Sequence, residues 1–372
     1  MKRRSLPRTI LSQTSTKTWL LVAVLVLGLT GIDQAAGSEK MIMYLSIGGE
    51  NRIALYNVNP ATGEIAHQAD FAAGGAPGAL CVDPKQQLLY AAIRTGDSVA
   101  TLSIDPQTGK LSERGRTSVV SNPVYLATDK QGKHLLTAYY GAHKVAVYPI
   151  GGDGVVQSSA TAVLETGKNP HSINIDQNNR FVFVPNTGAD KVLQYRFDAA
   201  SGKLSPNTPA EVHLGEGTGP RHFFFHPAKP WVYFVNEKGS SVTSTRLDSS
   251  PGTLEPFQTI STLPSDFSGN NTCAHIEITP DGKFLYASNR GHDSLACYSI
   301  DADSGRLTML GNVATEKTPR AFNLDPSGKL LYAAGQASGK LASYRVQSDG
   351  LLKPLQTYEV GKGPAWVLIL KL

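Results

Sequence analysis

Leu285–Leu307 reads LYASNRGHDSLACYSIDADSGRL, and Leu89–Leu111 reads LYAAIRTGDSVATLSIDPQTGKL. Each stretch has an apolar run, a turn with Gly and Asp, an alternating run, and a second turn ending in Gly before a short apolar segment. Weaker copies start at Met43, Leu135, Val182, Val232 and Leu331, so the pattern occurs seven times. A repeat of roughly 45 to 55 residues with this content is the signature of β-propeller blades. The alternating runs carry β-branched and aromatic residues, as in Val99, Leu102 and Ile104 or Leu295, Tyr298 and Ile300. Such residues suit a pleated, half-buried surface. No long stretch keeps a helical period without a Gly, Pro or Asn-rich break.

Working outward, a short apolar segment precedes each copy and often starts after Pro: PGALCVDP, PVYLATDK, PHSINIDQ, PRHFFFHP, CAHIEITP, PRAFNLDP and PAWVLILK. Each unit therefore reads as four strands. The phase of the repeat is informative. The repeated region opens at Met41–Ile47 with a second-type strand and closes at Pro364–Leu370 with a first-type strand. The expectation is all-β: a single seven-bladed β-propeller in which the C-terminal strand completes the first blade. Closure of this kind removes sheet edges that would template pairing with other chains. A six-bladed ring would require discarding one visible copy. Asp266–Asn271 is polar and Gly-containing, and is expected to be a surface loop.

The first 36 residues stand outside the repeat. Lys2, Arg3 and Arg4 precede the apolar run Trp19–Leu29, and small residues Ala35, Ala36 and Gly37 follow it. That order fits a secretory signal peptide, and the run is short for a membrane span. The domain reading is a signal peptide at 1–36 and a propeller at 37–372, with the mature protein secreted or periplasmic and not stably anchored to a membrane. The leader also explains the formal charge of +5. Taking its five basic residues and one acidic residue from 35 and 30 leaves 30 basic and 29 acidic, a net of +1. No basic block remains, so nucleic acid is not expected as a partner. Cys81, Cys273 and Cys297 exclude a small disulfide scaffold and show no zinc spacing. Whether Cys273 pairs with Cys297 is left open.

In a four-strand blade, the connection entering strand one and the connection leaving strand two lie on the same face. Residues in these two slots converge on one mouth of the ring. The end of strand two holds Gly48, Arg94, Tyr140, Thr187, Glu237, Arg290 and Gln336. The second position of the strand-one segment holds Gly78, Val124, His171, Arg221, Ala274, Arg320 and Ala365, with His222 and His275 one residue later. A turn needs none of Arg, Glu or His there. His171, Arg221, Glu237 and Arg290 come from three consecutive blades yet share these slots. An imidazole and a carboxylate can exchange protons near neutral pH. Two guanidiniums can hold a carboxylate, phosphate or developing oxyanion. There is no nucleophile-elbow serine and no carboxylate set for an axial metal. The residues point to a site for an anionic or carbonyl substrate that uses neither metal nor cofactor. His171, Glu237, Arg221 and Arg290 are its catalytic candidates, and His222, His275, Arg94 and Arg320 its substrate-binding candidates.

Asn169-Pro-His171, Gly219-Pro-Arg-His222, Asn236-Glu237 and Ser288-Asn-Arg-Gly291 also resemble the motifs of the seven-bladed lactonase family. That family includes propeller-type 6-phosphogluconolactonases and fungal 3-carboxy-cis,cis-muconate lactonizing enzymes. The resemblance runs from about Met41 to Leu370. In the cyclases of the family, residues matching His171, Arg221, Glu237 and Arg290 form the active site. The resemblance implies a small-molecule lactone or organic acid as substrate. It implies hydrolysis of a sugar-type lactone, with cyclisation of a carboxymuconate-like acid as the enzyme alternative. A non-catalytic binding propeller is the rival reading, and a literal cytoplasmic role for a phosphorylated lactone sits awkwardly with the leader.

Overall fold

The structure, a computed structural model, describes residues 40–372. The expected signal peptide, with cleavage near residue 36, falls outside the described residues. Among the described residues, 28 strands form seven antiparallel sheets of four, with one 3-10 turn at Gly48–Glu50 and no α-helix. Each sheet is a blade, and blade one is the sheet that holds Met41–Ile47. Its innermost strand is Pro364–Lys371, followed by Met41–Ile47, Arg52–Val58 and Ile65–Ala72. Leu45 faces Val367 and Met41 faces Lys371 across the closing ladder. The seven-bladed ring and its closure by the C-terminal strand are as the repeat phase predicts.

The core is divided among the interfaces between blades. Met41, Met43 and Leu45 pack against Leu330, Tyr332 and Ala334 of blade seven. Ile42 and Tyr44 of the same strand pack against Leu89, Ala91 and Ile93 of blade two. A second strand is thus buried on both faces, which is why MIMYLSI is apolar almost throughout rather than alternating. Outer strands such as Leu111–Ser118 keep one wet face and alternate accordingly.

Polar stitches repeat around the ring. Tyr44, Tyr90, Tyr233, Tyr286 and Tyr332 donate their hydroxyls to the carbonyls of Gly109, Gly154, Gly305, Gly350 and Gly63 in the following blade. The last of these joins blade seven to blade one. The accepting turn needs glycine: Gly305 has φ +71°, and a Cβ there would sit 2.4 Å from the Trp231 ring. Near the axis, the inner edge of a first strand offers N–H groups with no further strand to pair them. Glu277 Oε2 accepts from Leu324 N–H at 2.8 Å, and Asn323 Oδ1 from Ile369 N–H at 2.8 Å.

Cys273 and Cys297 are free thiols. They lie on opposite faces of blade six, Cys273 toward blade five and Cys297 toward blade seven, so the pairing left open by the sequence does not form.

Candidate functional site

The two slots converge as the blade geometry requires. The N–H groups of Arg94, Thr187, Glu237 and Gln336 each bond the carbonyl just before a strand-one proline: Ala76, Asn169, Gly219 and Thr318. These four residues are therefore structurally equivalent. The second position of strand one is marked by β-bulges. In blade five Pro220 and His222 pair with Asn236 and Val235, leaving Arg221 as the extra residue. Arg320 is the extra residue in blade seven, and Ala274 and His275 fall between paired residues in blade six. A bulge re-aims a side chain out of the sheet's alternation. Here it turns Arg221 and Arg320 toward the channel mouth. Gly78, Val124, His171, Arg221, Arg320 and Ala365 line one recess there, joined by Arg94, His222 and Trp366. Gly78 is small for a reason: a Cβ would lie 2.7 Å from Cδ of Arg94, whose stem crosses it.

Glu237 is gripped from two blades. Arg290 Nη2 donates to its Oε1 at 2.8 Å and also to Cys273 O at 2.9 Å. Arg221 Nε lies 3.1 Å from Oε2, an ion pair whose alignment falls short of a hydrogen bond. Arg221 is 1% exposed, donates to the Ala274 carbonyl, and has Nη1 3.1 Å from His222 Nε2. Among the described residues, eleven buried side-chain polar atoms lack a hydrogen bond. Four of them are His171 Nδ1, Arg221 Nε, Glu237 Oε2 and Arg290 Nε. Unmade bonds are rare in folded proteins and each demands a reason. Their concentration in these four residues marks the mouth as a place where folding alone did not set the arrangement.

The electrostatics are lopsided. Arg94, Arg221, Arg290 and Arg320 crowd the mouth, and Glu237 pairs with two of them, Arg221 and Arg290. Burial first, then Arg290 and Arg94, push Arg320 down to about 10. Burial, then Arg320 and Arg290, hold Arg221 well below its ordinary value. Burial also lowers Arg94, whose Nε donates to Asn122 Oδ1 at 2.9 Å. The guanidiniums stay charged at neutral pH. Beyond burial, the mutual repulsion of Arg320 with Arg290 and Arg94, and of Arg221 with Arg320 and Arg290, is positive charge that an anion would relieve. Burial and the same arginines hold His171 well below the usual imidazole range, so it is neutral. Its ring meets Tyr140 edge-on at 5.3 Å and His222 at 5.1 Å.

His222 and His275 lie behind Arg221 with their rings edge to face at 5.1 Å. His222 touches the recess, but His275 does not line it. Their rings pack against Trp366, and His222 also against Tyr125, filling the channel. Tyr125, Trp366 and Glu277 are residues that sequence reasoning missed, and Tyr140 was placed in its slot without a role. Reading the third position of strand one in every blade would have found Tyr125 and Trp366 beside the two histidines. A carboxylate inside the apolar segment CAHIEITP was the available signal for Glu277. A wider cleft of about 1030 Å³ opens elsewhere, between turns that include Asp83, Lys130 and Gly151. Asp83 is occupied there in accepting turn N–H groups from Gln87 and Leu88.

The buried neutral imidazoles set a pH dependence. Burial depresses His171 and His222, so below an unfolded value of about 6.5 the unfolded chain takes up protons that the folded chain refuses. The stability they contribute is present above that pH and is lost as pH falls. Thermal melts are expected to show a lower midpoint at pH 5.5 than at pH 7.5, with each histidine costing on the order of 1 kcal/mol. A midpoint that is level or higher at pH 5.5 contradicts this assignment.

Residues 45–369 match the family described as Lactonase, 7-bladed beta-propeller. A 6-phosphogluconolactonase of Pectobacterium carotovorum is 37% identical over 259 residues, 69% of this chain and 77% of the relative. A 6-phosphogluconolactonase of Yersinia enterocolitica is 33% identical over 332 residues, 89% of this chain and 98% of the relative. The solved structure of a periplasmic gluconolactonase from Pseudomonas aeruginosa superposes with a TM-score of 0.81 at 25% identity, covering 89% of this chain and 99% of that one.

Proposed function

Because this chain belongs to the lactonase family of seven-bladed β-propellers, we propose that it is a lactone hydrolase acting at the channel mouth on an anionic, sugar-type lactone. The observation that carries the reading is Glu237 held between Arg221 and Arg290, beside a recess that Arg221 lines with Arg94, Arg320 and a neutral His171. 6-Phosphogluconolactone, the lactone after which the relatives are called, is the candidate. Those names favour ring opening over ring closing.

The chemistry follows from the groups present. Among the described residues, Arg320 makes no ion pair or hydrogen bond within the protein, and it faces the recess with Arg94. These two bind the substrate's phosphate or carboxylate. Arg221 and Arg290 face the oxygen on which negative charge develops as water adds to the lactone carbonyl. His171, held neutral, takes the proton from the attacking water. The ring C–O bond then breaks, and the proton held by His171 reaches the leaving alkoxide by way of the Glu237 carboxylate, which takes it from the imidazolium and hands it on, so both groups return to their starting forms. The products are a carboxylate and an alcohol, with one proton released at neutral pH.

The test is proton release across free and phosphorylated aldonolactones, with a carboxymuconate included. Turnover is expected for an aldonolactone, with the phosphorylated form preferred. Turnover of the muconate alone would favour cyclisation, and silence across the panel would put the binding-module reading first. We also propose export of the mature chain, supported by the basic start, short apolar run and small residues of the leader. Intact mass of protein from the native host is expected to lack about the first 36 residues. Recovery with Met1 and firm membrane association would contradict it. Export would favour an unphosphorylated gluconolactone, the second reading, which the periplasmic gluconolactonase similarity supports.

A further inference from the structure

Behind Arg221 a file of buried polar groups runs along the axis. Arg221 Nη1 lies 3.1 Å from His222 Nε2. His222 Nδ1 lies 2.8 Å from His275 Nδ1. His275 Nε2 lies 3.2 Å from Glu277 Oε1. Glu277 also accepts from Asn323 Nδ2 at 2.7 Å and from Leu324 N–H at 2.8 Å. All of these side chains except Asn323 are buried, and the rings of Trp366, Tyr125 and Phe322 pack around the imidazoles.

Donor capacity sets the direction. A guanidinium can only donate, so His222 Nε2 must accept. A neutral imidazole has one N–H, so the His222 proton sits on Nδ1 and donates to His275 Nδ1. His275 Nδ1 is then an acceptor, and its proton sits on Nε2, facing the Glu277 carboxylate. Neither ring has room for a second proton without setting two donors against each other. We propose that Glu277, His275 and His222 are positioning residues for Arg221. Through two neutral imidazoles of fixed tautomer they hold the guanidinium in place and give it a buried counter-charge. Burial, then the Arg221 guanidinium, also lower the His222 imidazole, in agreement with its neutral form. The role in turnover rests on the reading of Arg221 as an oxyanion donor; the tautomers do not.

Edge stitching by Glu277 is the purely structural rival, and it asks nothing of the imidazoles. In Glu277→Gln a carbonyl oxygen turned to His275 Nε2 and Asn323 Nδ2 keeps both bonds and both tautomers, but the edge bond to Leu324 and the buried counter-charge are lost together. His275→Gln separates them, because it breaks the file and leaves the Leu324 bond in place. The experiment is ¹⁵N NMR of histidine-labelled protein, assigned with His222→Gln and His275→Gln. At pH 7 the unsubstituted protein is expected to show His222 protonated only on Nδ1 and His275 only on Nε2. In Glu277→Gln the tautomers are expected to stay, with kcat on the lactone lowered about 10- to 100-fold there and in His275→Gln, and KM changed less. An imidazolium at either position, or Nε2–H on His222 in the unsubstituted protein, overturns the relay even if the glutamine variant fails to fold. Unchanged kcat in a folded Glu277→Gln variant also overturns it. Correct tautomers in a protein silent toward every lactone would count against the lactonase reading and not against the relay.

Discussion

Arg221→Lys is expected to lower kcat/KM for the hydrolysed lactone by about 100-fold or more, the scale of losing one preorganised oxyanion donor. Charge is retained, so the loss reports geometry. Arg221 spends its nitrogens in fixed directions: Nε toward Glu237, Nη1 toward the Ala274 carbonyl and His222. An ammonium on a flexible stem cannot reproduce that planar set. The vacated bonds are buried, so a stability loss of about 1–3 kcal/mol is expected as well. Steady-state kinetics beside a thermal melt separates the two effects. An unchanged kcat/KM would remove Arg221 from the chemistry.

Deletion of residues 364–372 is expected to abolish cooperative folding. The strand Pro364–Lys371 forms the inner edge of blade one and pairs with Met41–Ile47 along its length. Val367 and Ile369 fill the interface with blade seven, and Leu370 the interface with blade two. At roughly 1.5–3 kcal/mol for each buried aliphatic side chain, these three alone approach the ~5–15 kcal/mol by which a domain is stable. Trp366, half-buried, would leave the channel beside His222 and His275. Removing the strand also exposes the edges of Met41–Ile47 and of the neighbouring inner strands. Circular dichroism melts of the deletion should show no sharp transition. A melt like that of the full chain would refute closure as the source of stability.

Much of the fold was legible because a propeller repeats its errors as well as its rules. Seven copies gave the blade count, and the mismatched phases of Met41–Ile47 and Pro364–Leu370 gave the closure. The same repetition exposed Arg221, Glu237 and Arg290 as residues no turn requires, and the structure brings all three into contact. What the pattern could not carry was the bulge. An extra residue at Arg221, Arg320 or Ala274–His275 breaks the two-residue alternation, so side chains beyond it point where simple counting does not put them. Of the two histidines, His222 lines the recess, whereas His275 lies beyond it against Trp366 and Phe322. Glu277 was passed over because its partner His275 is two residues away on the same strand and its other partners are a whole blade away.

The account stands most directly on one comparison: initial rates of proton release from 6-phosphogluconolactone by residues 37–372 and by the same chain carrying Glu237→Gln. The substitution keeps the size of the side chain and removes the carboxylate shared by Arg221 and Arg290. The expected result is measurable turnover by the unsubstituted chain and a fall in kcat of about 100-fold or more in a variant that still folds, the upper part of the range for losing a positioned acid–base group. Equal rates and the same pH profile in both proteins would contradict the claim that this mouth carries out the reaction.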